Sequence, residues 1–185
     1  MTLADKANFF LSSITILAEI IFIVGVFVFL KYRKNKENKF YKYFAQNGML
    51  LAFLGALAAT LGSLFYSDIL HYEPCKLCWF QRIFMYPQTI LLGIALFKKD
   101  KGVIKYALTL SIIGGFIALC HYILQTTNVS ILPCSAVGYS VACSKVFVLR
   151  FGFITIPLMA FSAFLLMIIS LLFANTNQKD EAIIS

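Results

Sequence analysis

The sequence predicts an all-α protein that crosses a lipid bilayer five times. Three observations carry that reading. First, 61% of the 185 residues are hydrophobic, only 13% are charged, and mean hydropathy is +0.85. Soluble domains are about 45–50% apolar and about 25% charged, so this chain has more apolar surface than a soluble monomer can bury. Second, apolar runs of membrane-spanning length recur along the chain. Third, the cations gather in two short connections between those runs. The length suits one compact unit with no second sizeable domain. The 19 Phe, 9 Tyr and long aliphatic runs exclude disorder.

Four runs are plain: Phe10–Leu30, Met49–Tyr66, Val103–Leu124 and Phe151–Phe173. A bilayer core of about 30 Å needs roughly 20 helical residues, which matches them. The first run is expected to be a retained helix rather than a signal peptide. Its flank carries only Lys6 against Asp5, the run has 21 residues, and no small-x-small cleavage site follows. A fifth stretch, Leu77–Phe97, is as long but contains Gln81, Arg82, Pro87 and Gln88. Lone polar groups facing lipid are costly, so this helix is expected to face partner helices or a site. Gly55, Gly62, Gly114 and Gly115 read as close-packing positions between helices rather than ligand contacts.

Charge sets the orientation. Between residues 31 and 42, Lys31, Arg33, Lys34, Lys36, Lys39 and Lys42 face only Glu37, a net of +5. Between 98 and 105, Lys98, Lys99, Lys101 and Lys105 face only Asp100, a net of +3. These two connections account for the whole formal charge of +8 and lie on one side of a five-helix path. The positive-inside rule makes that side cytoplasmic, with the N-terminus outside and the tail from Asn175 to Ser185 inside. The basic residues are therefore a solvated face beside a membrane, and no nucleic-acid partner is expected.

The two outer connections hold the cysteines. Cys75 and Cys78 form a Cys-x-x-Cys where the short outer loop enters the polar third helix, and Cys134 and Cys143 lie in the 26-residue loop from Gln125 to Arg150. All four are on the face where disulfides persist. Cys120, inside the fourth helix (the run Val103–Leu124), reads as a packed free thiol. Taken as a pair, Cys134 and Cys143 are either a loop staple or a redox couple. A Cys-x-x-Cys closes too short a ring to be a useful staple, which leaves a metal site or a redox pair. The second pair has the wrong spacing for zinc and the only histidines are His71 and His121, so no metal is expected. Arg82 lies one helical turn after Cys78, and with the positive helix end it favours a thiolate at Cys78. Arg82 itself admits two readings: an anchor that snorkels to the interface, or a donor to an oxygen-bearing apolar ligand beside Cys78. A membrane-soluble quinone has the carbonyl oxygens, apolar tail and two-electron capacity for the second.

The run Glu73-Pro74-Cys75-Lys76-Leu77-Cys78-Trp79-Phe80-Gln81-Arg82-Ile83, with Tyr86-Pro87, resembles the signature of the DsbB/BdbC family of disulfide-bond formation proteins. So do Pro133-Cys134, Ala142-Cys143-Ser144, His121-Tyr122 and Phe151 through Pro157, which are similar to the BdbC branch. The resemblance covers about residues 45–173. It implies a four-helix bundle that re-oxidises a thioredoxin-like, DsbA-type dithiol oxidase and passes two electrons to a membrane quinone, menaquinone or ubiquinone, at the cell membrane. By that resemblance Cys134 forms the mixed disulfide with the partner, Cys143 resolves it and engages Cys75, Cys78 touches the quinone, and Arg82 stabilises the charge that builds there. His121 either lies near the quinone or caps a helix at the interface.

Residues 1–44 then form an extra N-terminal helix and basic loop, 45–174 the redox unit, and 175–185 a cytoplasmic tail. Gln81 stands where some members carry Glu, and Glu19 is a carboxylate within the extra helix. Two rival functions fit the same composition. A vitamin K epoxide reductase-like protein also joins Cys-x-x-Cys to quinone, but there the quinone-proximal pair follows the shuttle cysteines. The other is a non-catalytic membrane partner with structural disulfides.

Overall fold

The structure is a computed structural model that describes residues 3–32, 39–127, 143 and 145–184. Five long helices account for nearly all of them: α1 (Leu3–Tyr32), α2 (Lys39–Leu64), α3 (Lys76–Lys98), α4 (Val103–Thr127) and α5 (Ile156–Ile184). Four helical stretches are long and apolar enough to cross a membrane: Asp5–Tyr32, Tyr41–Ile69, Val103–Thr127 and Ile156–Thr176. A π-helical turn, Phe65–Ile69, extends α2 into the connection before α3. Among the described residues the only extended pairing is a bridge between Arg150 and Ile154. The all-helical membrane architecture is as the sequence predicts.

Helices α2, α3, α4 and α5 form a closed four-helix bundle in that cyclic order, and α1 lies outside it, packed mainly along α5. The bundle core is built from small and flexible residues, among them Ala52, Ala56, Met85, Leu92, Ala118 and Met167, around the fully buried ring of Phe164. In a bilayer, helices associate through close packing rather than escape from water, so small residues at the seams matter. Gly114 is the clearest case: a Cβ there would overlap the Phe164 ring. The outward faces carry Ile23, Phe27, Ile90, Phe97 and Phe116 against lipid.

Four helix ends lie five or more residues from the predicted bounds: α1 begins at Leu3 rather than Phe10, α5 runs on to Ile184 rather than ending at Phe173, and the starts of α2 and α5 also move. α2 begins at Lys39, ten residues before Met49, because Tyr41 and Ala45 share a face that packs with Val28, Ile169 and Phe173. The Tyr41 hydroxyl also bonds the Thr176 hydroxyl at 2.8 Å. Side-chain packing, invisible to a hydropathy window, extends that helix. α5 begins at Ile156 rather than Phe151, because Phe151 and Gly152 have φ of 52° and 80°, a left-handed turn that an α-helix cannot include.

Helix α3 places its polar residues inward, as expected. Gln88 is fully buried, donates to the Phe84 carbonyl at 2.7 Å and accepts from Ser111 of α4 at 2.9 Å. Glu19 of α1 accepts from Ser162 of α5 at 2.9 Å, so the carboxylate of the extra helix is paired with the bundle.

Candidate active site

The site begins at the first turn of α3. Cys75 is its N-cap, with extended backbone (φ −70°, ψ 172°), and its Sγ accepts from the Cys78 main-chain N–H at 3.4 Å. This is the capping role that Ser or Asp usually plays, taken here by sulfur. The two thiol sulfurs lie 3.1 Å apart.

His121 of α4 reaches the same sulfur: its Nε2 is 3.6 Å from Cys75 Sγ and 3.1 Å from the Cys143 carbonyl oxygen. A carbonyl can only accept, so Nε2 carries the proton. In the neutral ring Nδ1 then accepts, and the Gln81 amide donates to it at 2.9 Å. Gln81 and His121 are both buried. Gln81 thus fixes the ring's tautomer, as the partner of a ligating or catalytic histidine commonly does.

These contacts decide where negative charge resides. The Cys78 thiol contributes most, with further help from His121 and the Cys78 main-chain N–H, and together they outweigh the burial of Cys75. They hold the Cys75 thiol well below the range of an ordinary cysteine, which is about 8.5. The helix-end stabilisation expected at Cys78 therefore falls one turn earlier, because the N-cap residue, and not the third residue of the helix, faces the free N–H groups.

Cys143 is buried and disulfide-bonded, and packs in one cluster with Cys75, Leu77 and Leu124. The chain after it is held at three points. His121 donates to its carbonyl, Gln125 donates to the Lys145 carbonyl at 3.0 Å, and Phe147 stacks on Tyr72, which stacks on Tyr66. Cys134 lies outside the described residues. Cys120 is a half-buried free thiol on α4.

Arg82 lies one turn beyond Cys78 and does not extend to solvent alone. Its Nε donates to Ser63 Oγ at 3.0 Å and its Nη2 to the Ser63 carbonyl at 3.2 Å. Tyr86 donates to the same Ser63 Oγ at 3.1 Å, and the Trp79 ring lies 5.1 Å from the guanidinium. Two of five guanidinium N–H groups are directed at Ser63, which leaves three for a ligand. Ser63 was not singled out by its sequence. The available signal was depth: it lies near the end of α2, at the level Arg82 reaches on the antiparallel α3.

Cys78, Arg82, Ser63, Tyr86 and His121 open on a single cavity of about 640 Å³, otherwise mostly apolar. Pockets that hold drug-sized organic ligands span about 300–1,000 Å³. An apolar body of that size with hydrogen-bond donors at one end fits a molecule with carbonyl oxygens and a hydrocarbon tail. The two sulfurs and His121 also lie within 4.8 Å of one another, a spacing a soft metal could use. The imidazole nitrogen nearest Cys75, however, is engaged with the Cys143 carbonyl.

Residues 45–174 match the family model described as disulfide bond formation protein DsbB. The chain belongs to the DsbB family. It is 49% identical over 116 residues to disulfide bond formation protein C of Bacillus subtilis, covering 62% of this chain and 82% of that protein. It is 46% identical over 123 residues to the SPbeta prophage-derived disulfide bond formation protein B of the same species, covering 66% and 82%. A probable disulfide formation protein of Oceanobacillus iheyensis is 42% identical over 138 residues, covering 75% and 95%. No solved structure matches the chain. Family and site together make this a membrane thiol–disulfide oxidoreductase that acts in disulfide-bond formation.

Proposed function

We propose that the protein oxidises an extracytoplasmic thioredoxin-like, DsbA-type dithiol oxidase and delivers the electrons to a membrane quinone, with both cysteine pairs outside the cell membrane and the C-terminus in the cytoplasm. The observation that carries this is continuity. The Cys143 carbonyl, His121, Cys75 and Cys78 are linked by successive contacts, and Cys78 and Arg82 line one apolar cavity. The basic connections after α1 and α3 support the orientation.

The cycle runs as two thiol exchanges and one oxidation. The partner's dithiol reduces the Cys134–Cys143 disulfide, its own two sulfurs joining as the outer pair gains two electrons and two protons. Cys143, as thiolate, then attacks Cys75 of an inner Cys75–Cys78 disulfide and releases Cys78. Cys134 attacks Cys143 in turn, restoring the outer disulfide and releasing Cys75. A quinone in the cavity provides a sink for two electrons and two protons. Cys78 faces that cavity, Arg82 offers N–H donors to an acceptor oxygen as charge develops there, and Cys75 lies close enough to close the disulfide on Cys78.

The test mixes purified protein, reduced dithiol oxidase and quinone, and follows the quinone spectrum. Wild type should turn over, and Cys78→Ala should not; normal turnover in Cys78→Ala overturns the proposal. Cys134→Ser should stop reaction with the dithiol partner while the inner pair still reduces quinone.

A further inference from the structure

Helix α1 lies outside residues 45–174, the part of the chain that matches the family, yet it does not simply lie against the bundle. It is fastened at three levels. Asp5 accepts from Arg150 at 2.9 Å at the outer end, Glu19 accepts from Ser162 of α5 midway, and Val28 packs with Ile169, Phe173 and Tyr41 at the inner end. Between these levels α1 meets α2 only sparsely, as where Leu11 lies across from Gly62. The gap between them is part of the same cavity that Cys78 and Arg82 enter.

The facing surfaces suit that gap. On α1 the lining residues Leu11, Ile14 and Ala18, with Ala7, recur at helical spacing, so one face borders the cavity over about 16 Å of helix. On α2 the lining residues include Ala58, Leu61 and Gly62. A Cβ added at Gly62 would meet Leu11 at 3.8 Å, an ordinary van der Waals contact, so the two helices approach at this level without interlocking. α1 therefore walls a cavity that would otherwise open to lipid on that side.

From this we infer that α1 is the fifth wall of the acceptor site: the channel between α1 and α2 takes the hydrocarbon tail of the quinone whose ring lies at Arg82, and Ala18 and Ile14 determine which tails fit. The inference rests on the quinone reading above. A ligand that offers a carbonyl to Arg82 must house its tail in the remaining, apolar part of the cavity. The α1–α2 side of that cavity is lined by small and aliphatic residues.

A quinone carrying a photoreactive group at the end of its tail, bound to the full-length protein and illuminated, should label residues 7–18 of α1 and 55–62 of α2, and excess unlabelled tailed quinone should suppress the labelling. Ala18→Phe should raise KM for the tailed quinone by about tenfold, because filling a packed site is destabilising. It should change KM for a tail-less quinone by less than about twofold. Leu17→Phe, on the lipid-facing side, should change neither. Labelling confined to α3 or α4, or an equal effect of Ala18→Phe on both quinones, overturns the inference while wild-type turnover keeps the quinone reading intact. Labelling that unlabelled quinone does not suppress assigns the channel to a lipid chain and also overturns it. A wild-type protein that reduces no quinone removes the underlying reading, and this inference with it.

Discussion

The Cys75 thiolate can be tested by removing its supports one at a time. Its largest stabilisation comes from the Cys78 thiol at 3.1 Å, with His121 at 3.6 Å a smaller contributor. A hydrogen bond to a charged group contributes about 1.5–3 kcal/mol, and each pKa unit corresponds to about 1.4 kcal/mol. Cys78→Ala should therefore raise the lowered Cys75 midpoint by about one to two units. Cys78→Ser keeps a hydroxyl donor in place and should leave it within about half a unit. The sign is fixed by linkage: a group whose pKa is lowered by folding is ionised above that lowered value, and its contribution is lost as pH falls through it. The assay is thiolate ultraviolet absorbance against pH, in a background with Cys120, Cys134 and Cys143 each changed to Ser so that only the inner pair absorbs. The Cys143 main-chain carbonyl, which holds His121, survives that change. A midpoint near the ordinary cysteine value before Cys78 is altered, or one that Cys78→Ala does not move, would refute the reasoning.

Two further outcomes follow from the same geometry. Arg82→Ala should raise KM for quinone by about tenfold or more, and Ser63→Ala, which removes one of two contacts that aim the guanidinium, by about threefold; unaltered quinone kinetics in both would make Arg82 a mere anchor. Gly114→Ala should lower the unfolding temperature in detergent, at a cost of about 1–3 kcal/mol from overlap with Phe164, whereas Gly62→Ala should not lower it, since its Cβ meets only Leu11 at 3.8 Å.

The helices were legible because a bilayer dictates their length and apolar composition, whatever their neighbours. Their ends were less so. The start of α2 depends on Tyr41 packing against Phe173, more than a hundred residues away in sequence, and the start of α5 on a left-handed turn at Phe151 and Gly152. In the site, Cys-x-x-Cys spacing and the one-turn offset to Arg82 were visible because they are local. That Cys75 rather than Cys78 caps the helix depended on where α3 begins, a matter of one or two residues. The contact of His121 with both Cys75 and Cys143 arises where α3, α4 and the outer loop meet, and only the assembled bundle defines it. Gln81 was read for the acid it replaces; its amide instead serves as the donor a neutral imidazole needs.

The position of the stabilised sulfur bears on direction. In the proposed exchange between the pairs, Cys143 attacks Cys75 and is later attacked by Cys134, so Cys75 is the sulfur that must leave when the outer disulfide reforms. A thiol of low pKa leaves faster, and Cys75 has the thiolate-stabilising contacts at that sulfur. Those contacts also stabilise the reduced inner pair, which makes its disulfide a stronger oxidant and draws electrons inward from the loop. The same stabilisation resists the last step, oxidation of the inner dithiol, which must then be driven by the acceptor. An acceptor site with Arg82 and Cys78 opening on one cavity follows from that requirement: the more firmly Cys75 holds its charge, the more the final transfer depends on what occupies the space beside Cys78.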